Sequence, residues 1–159
     1  MKLIAILLLN IFLKQYFAFT TINNLNLNRN PKIVGGTNAD ILEFPLLVSI
    51  LNNDHHHCAG TLLNEYWILT ASHCWLPVNQ STIEYSTTTL KGSNANFIAH
   101  PELFIQHELF DLSQLIYDIG LIKVKKSINI DVQNAYAKLA MPGNFYSTGT
   151  KSVVSGWGV

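Results

Sequence analysis

Short apolar runs, separated by glycine, proline and asparagine-rich breaks, set the pattern of this chain from about residue 45 onward. LLVSIL (46–51) follows Pro45 and is a strand candidate. HCAGTLL (57–63) is a second and YWILTA (66–71) a third, with Asn64-Glu65 between them as a tight connection. TIEYSTTTL (82–90) is rich in β-branched residues, and NFIAH (96–100), IGLIKV (119–124) and KSVVSGW (151–157) also read as strands. Several short strands with turn signals between them predict an all-β antiparallel sandwich or barrel. One stretch, ELFIQHELFDLSQLIY (102–117), mixes periods, and a helical turn is expected in it. The chain carries no internal repeat and no Gly-rich phosphate loop.

The first twenty residues follow a different pattern. Lys2 precedes an apolar run over 3–13 that only Asn10 interrupts, and Ala18-Phe19-Thr20 places small residues ahead of Thr21. This predicts a secretory signal peptide over residues 1–20. The run is too short to span a bilayer, and Lys14 and Gln15 end it, so no membrane anchor is expected. Residues 21–32, TINNLNLNRNPK, are polar and read as an exposed connector. IVGG (33–36) then breaks the composition.

Export to an extracellular, oxidising compartment gives the cysteines their meaning. Cys58 and Cys74 are the only two in the chain, so an intrachain disulfide has one possible connectivity. The other state is a pair of free buried thiols. A bond closing so short a loop contributes about 3 kcal/mol.

Composition narrows the classes further. The chain has 159 residues, 48% hydrophobic and 13% charged, as a packed globular protein requires. The formal net charge is zero, with no basic excess to attract nucleic acid and no acidic tail. His55, His56 and His57 raise the question of a metal. On a strand His55 and His57 share one face and His56 takes the other, which gives two ligands at most and no evident third. No metal site and no cofactor are expected.

The motifs together resemble the trypsin-like serine proteases of the chymotrypsin fold. IVGG (33–36) resembles the N-terminus created when such zymogens are cut, and EFPLLVSIL (43–51) the first barrel strand. HHCAGTLLNEYWILTASHCW (56–75) resembles the segment with the catalytic histidine and its flanking disulfide. YDIGLIKV (117–124) resembles the segment of the catalytic aspartate, and VSGWGV (154–159) the strand after the crossing between barrels. NEYWILTASHC and SGWG look most like arthropod digestive trypsins, those of mites among them. The resemblance covers residues 33–159, a partial peptidase domain that holds the first barrel and the start of the second.

The resemblance implies a serine endopeptidase acting on protein or peptide substrates. His73 would be the general base, a task suited to imidazole because the unperturbed group's pKa lies near physiological pH, and Asp118 would orient it. Asp111 is the rival acid, but no apolar run follows it. Cys74, bonded to Cys58, would staple the turn of the histidine to the strand behind it. Residues 21–32 would be an activation peptide, cut between Lys32 and Ile33 by a trypsin-like protease. The freed α-amine of Ile33, with a pKa of about 8, would then pair with a buried aspartate and order the site.

The chain departs from the family pattern in several places. It has Cys58-Ala59-Gly60 where two glycines usually follow the cysteine, Ala71-Ser72-His73 where two alanines precede the histidine, and Asp118-Ile119-Gly120 where alanine often follows. The 74–100 span is short and the 101–118 span long for the family, so loops near the cleft are expected to differ. The nucleophilic serine normally sits in a GDSGGP-like segment, and none occurs in these residues. Ser72, Ser113 and Ser155 lack that context. The oxyanion hole, the specificity-pocket base and the aspartate for Ile33 are missing as well. The chain as written is therefore expected to be inactive alone, with the serine in sequence beyond Val159. The competing expectation is a secreted, catalytically inactive homologue that binds or regulates. An isolated first barrel, exposing the face that packs on the second, is a third.

Overall fold

The computed structural model describes residues 36–130, 136–144 and 146–158. The signal segment 1–20, the connector 21–32 and the Lys32–Ile33 bond lie outside the described residues. Seven strands form one antiparallel sheet: β1 (Leu47–Asn52), β2 (His55–Leu62), β3 (Trp67–Thr70), β4 (Ser81–Tyr85), β5 (Ile98–Ala99), β6 (Pro101–Gln106) and β7 (Gly120–Val124). Their order is β5-β4-β1-β2-β3-β7-β6. Among the described residues no helix is long and apolar enough to cross a membrane.

The two edge strands of that order are neighbours in the chain. Only His100 separates β5, which pairs with β4, from β6, which pairs with β7. One continuous run therefore stitches the edges of the sheet together and closes it into a barrel. The His100 carbonyl accepts the Lys125 amide at 2.9 Å just past the end of β7. Pro101 opens β6 at a position where it owes no ladder hydrogen bond.

Alternation along the strands fills the barrel. Val48, Ile50, Leu62, Ile68, Ile83, Ile122, Val124 and Ile128 are essentially sealed from solvent and pack as one cluster. The β1–β2 hairpin turns on Asn53 and Asp54, both at positive φ (47° and 68°), as a two-residue turn of the right twist requires. Asn64 turns β2 into β3 by accepting the amides of Tyr66 and Trp67 on its side-chain oxygen. Glu84 is buried, and its carboxylate receives the backbone N–H groups of Lys91 and Gly92. The charge is thus met by amides rather than by a cation.

Three expectations need correction. The 102–117 stretch holds no helical turn; its first part is β6, because Phe104 reaches the core and the backbone pairs with β7. The strand expected over 82–90 stops at Tyr85, where Ser86 takes φ 52° and turns the chain. KSVVSGW forms none of the sheet's strands; Trp157 instead donates its indole N–H to the Thr88 carbonyl at 3.1 Å and meets His56 edge-on at 5.7 Å.

Two predictions follow from the packing. A methyl group on Gly60 would sit 2.6 Å from Ile68 Cγ2 and 3.1 Å from the Leu69 carbonyl. Gly60→Ala should therefore lower stability by about 1–3 kcal/mol in urea denaturation. The second concerns pH. His56 is half-buried, its Nδ1 lies 2.6 Å from Ser49 Oγ, and burial, then the neighbouring His57, hold its pKa below the ordinary 6.5. The unfolded chain takes up this proton first as pH falls. The stabilising contribution is therefore complete above about pH 6.5 and is lost as pH drops through the folded value. The urea midpoint should fall more steeply between about pH 7 and pH 5 in the wild type than in His56→Gln.

Candidate active site

Strands β3 and β7 pair with Thr70 opposite Gly120. Just beyond that rung, one chain leaves as Ala71-Ser72-His73 and the other arrives as Asp118-Ile119. Ser72–Cys74 winds into a single 3-10 turn, which lifts the His73 side chain to the rim of the barrel.

His73 and Asp118 meet there through two bonds. The His73 backbone N–H donates to Asp118 Oδ1 at 2.8 Å, and the ring Nδ1 lies 2.6 Å from Oδ2. Facing an ionised carboxylate, which can only accept, Nδ1 is the donor, and in the neutral ring Nε2 then presents its lone pair. The His73 side chain is 46% exposed and that of Asp118 only 20%. The acid is shielded behind the ring while the ring's far nitrogen is open. Nε2 lies 4.0 Å from Cys58 Sγ, and among the described residues no hydroxyl is bonded to it.

A disulfide joins Cys58 on β2 to Cys74 on the turn. It fixes the residue following His73 to the barrel wall. Cys58, His73 and Cys74 are the one group of three candidate metal donors close together among the described residues. With both sulfurs in the disulfide, neither is available as a thiolate ligand. His55 and His57 are exposed on β2 while His56 is half-buried, the alternation read from the sequence.

Asp111 is occupied elsewhere. Its carboxylate accepts the Ser113 hydroxyl and the backbone amides of Ser113 and Gln114 within its own loop. Those bonds, the Ser113 hydroxyl first, hold its pKa below the usual carboxylate value. The same loop displays Leu109, Leu112 and Leu115 to solvent, immediately before the dyad's acid. It is ordered by an Asp111–Ile116 bridge and by the stacking of His107 on Tyr117 at 5.0 Å. The sequence reading missed the place of Ser72, which is fully buried, with its hydroxyl donating to the Ile119 carbonyl and accepting the His107 amide rather than meeting Nε2. The signal was present, as a serine where the resembled pattern has alanine.

With barrel and dyad in place, the relatives decide the family. A family model described as Trypsin matches residues 33–159. The chain belongs to the trypsin family. It is 37% identical over 128 residues to human "Serine protease 1", an alignment covering 80% of this chain and 50% of the human protein. It is 31% identical over 136 residues to a trypsin of Simulium vittatum (81% and 54%) and 24% identical over 136 residues to a trypsin of Phaedon cochleariae (82% and 52%). The chain spans about half the length of these curated relatives.

The disulfide gives a direct test. With the cysteines 16 positions apart, replacing both by serine should cost about 3 kcal/mol in chemical denaturation. A loss under about 1 kcal/mol would mean that the β1–β2 hairpin alone holds the turn.

Proposed function

We propose that this chain supplies the base and its orienting acid to a secreted serine endopeptidase. His73 is the general base and Asp118 the acid that orients it. The observation that carries the reading is the doubly bonded His73–Asp118 pair with its open Nε2. In the proposed reaction a serine hydroxyl, from sequence beyond residue 159, attacks the carbonyl of a peptide bond. His73 Nε2 takes the hydroxyl proton as the oxygen–carbon bond forms, and then gives it to the departing amine. A second cycle with water in place of serine releases the acid product. Asp118 stays ionised throughout. It holds Nδ1–H in place and stabilises the imidazolium between the two transfers.

The reading extends to the ends of the chain. Residues 1–20 direct export, residues 21–32 are an activation peptide, and a trypsin-like protease cuts between Lys32 and Ile33. Substrates are proteins or peptides. The chemistry is acid–base and nucleophilic, so it calls for no cofactor. Membranes and nucleic acids are not assigned as partners.

The test begins with the message downstream of codon 159. An in-frame GDSGGP-like segment is expected. The extended, activated protein should cleave peptide substrates, and Asp118→Asn should lower kcat by about 10⁴-fold. That magnitude comes from a member of this same family. An active extended protein indifferent to His73→Ala would overturn the assignment. A message that lacks the serine would make the chain a non-catalytic homologue.

A further inference from the structure

The dyad's two backbone segments are tied together by a side chain that belongs to neither acid nor base. Ser72 has no exposed surface, and its hydroxyl donates to the Ile119 carbonyl at 2.5 Å. The same oxygen accepts the His107 amide at 3.1 Å, and that amide also reaches the Ile119 carbonyl at 3.1 Å. Gln106 Nε2 donates to the Ser72 carbonyl at 2.9 Å. Ser72 is thus bonded to the residue after Asp118 and to both residues where the 107–117 loop leaves β6, while being the residue before His73.

Asp118 needs such a tether. Tyr117, just before it, sits at φ 54°, a region that bulky side chains avoid, and the Ile119 amide closes back onto the Tyr117 carbonyl at 2.8 Å. Asp118 therefore occupies the middle of a tight, strained bend at the entry to β7. A bend of that kind persists only when its surroundings over-determine it. On one side Tyr117 stacks on His107; on the other Ser72 Oγ holds Ile119.

Gly120 shows how close the approach is. A Cβ there would lie 2.9 Å from Phe104 Cε1, 3.2 Å from the Ile105 carbonyl and 3.3 Å from the Ala71 carbonyl. The start of β7 is packed so closely against β6 and the histidine turn that a methyl group there would press first on Phe104 and then on both carbonyls. A hydroxyl at 72 and a missing methyl at 120 are complementary. They also coincide with two of the places where the sequence departs from the family pattern.

We infer that Ser72 is a positioning residue: its buried hydroxyl, with Gly120 making room, sets the distance and aim of Asp118 toward His73. This rests on the proposed catalytic role of the pair. The Ser72→Ala change is a clean probe, because it orphans nothing. The Ile119 carbonyl keeps the His107 amide, the His107 amide keeps the Ile119 carbonyl, and Gln106 keeps the Ser72 backbone carbonyl.

The experiment observes the Nδ1–H proton of His73 by NMR in the histidine-labelled chain, with Asp118→Asn as reference. The wild type should show a downfield Nδ1–H resonance that Asp118→Asn abolishes. Ser72→Ala should shift it upfield and raise its exchange with water by about tenfold, with the strand signals of the barrel unchanged. Gly120→Ala, which keeps the hydroxyl but crowds the start of β7 against Phe104 and the Ala71 carbonyl, should act in the same direction and decides the matter if Ser72→Ala fails to fold. In the serine-bearing enzyme, Ser72→Ala should lower kcat about tenfold and leave KM in place. An Nδ1–H signal as sharp and slow in the folded variants as in the wild type would overturn the inference and leave Ser72 a space-filling residue. A wild type without the resonance would instead overturn the dyad reading itself.

Discussion

The pairing of β3 with β7 is the constraint on which the site depends. Four rungs, from Trp67–Lys123 to Thr70–Gly120, fix where each chain leaves the sheet. His73 and Asp118 lie three and two residues beyond the last rung, too few to correct an error in register. A slip of one residue would send Ile68 and Ile122 out of the core and turn the acid away from the imidazole. The apolar packing of the barrel interior therefore enforces the polar geometry at its rim. The disulfide, the Ser72 hydroxyl and the strained bend at Asp118 refine a placement that the sheet has already made.

Closure of the barrel supports that pairing from the far side. β7 is held between β3 and β6, and β6 is carried there by the run that started as β5 on the opposite edge. Small side chains are needed wherever backbones approach most closely. Gly60 under Ile68 and Gly120 beside Phe104 are two such places, and each lies on a strand that leads to the site.

β1 and β3 were legible as short apolar runs bounded by turn residues, buried at nearly every position, and β7 as a strand buried at every second residue. The 102–117 stretch was misread. There Leu103 and Leu109 point to solvent while Phe104 reaches inward, so hydrophobicity and burial part company and the period is lost. Residues 151–157 carry β-branched residues but no strand, only a single bridge at Val153, since propensity without continued pairing makes no ladder. His73 and Asp118 were found only through motif resemblance. Nothing in their spacing alone foretells that two residues 45 positions apart come within 2.6 Å. Ser72 stood out as a departure from the family pattern, but its role did not: its bonds go to backbone atoms of Ile119 and His107, which no side-chain pattern encodes.

That long separation bears on the order in which the molecule comes into being. The β1–β2 hairpin and its neighbour β3 draw on contacts a few residues apart and can gather as the chain emerges. β7 joins β3 only after a far larger loop has closed, at the entropic cost such closure carries. Until that step the imidazole and its carboxylate share no space, however well formed the first hairpin is. A nascent or half-folded chain therefore contains both residues but not the pair, and the base we propose for the hydroxyl is assembled only with the finished barrel.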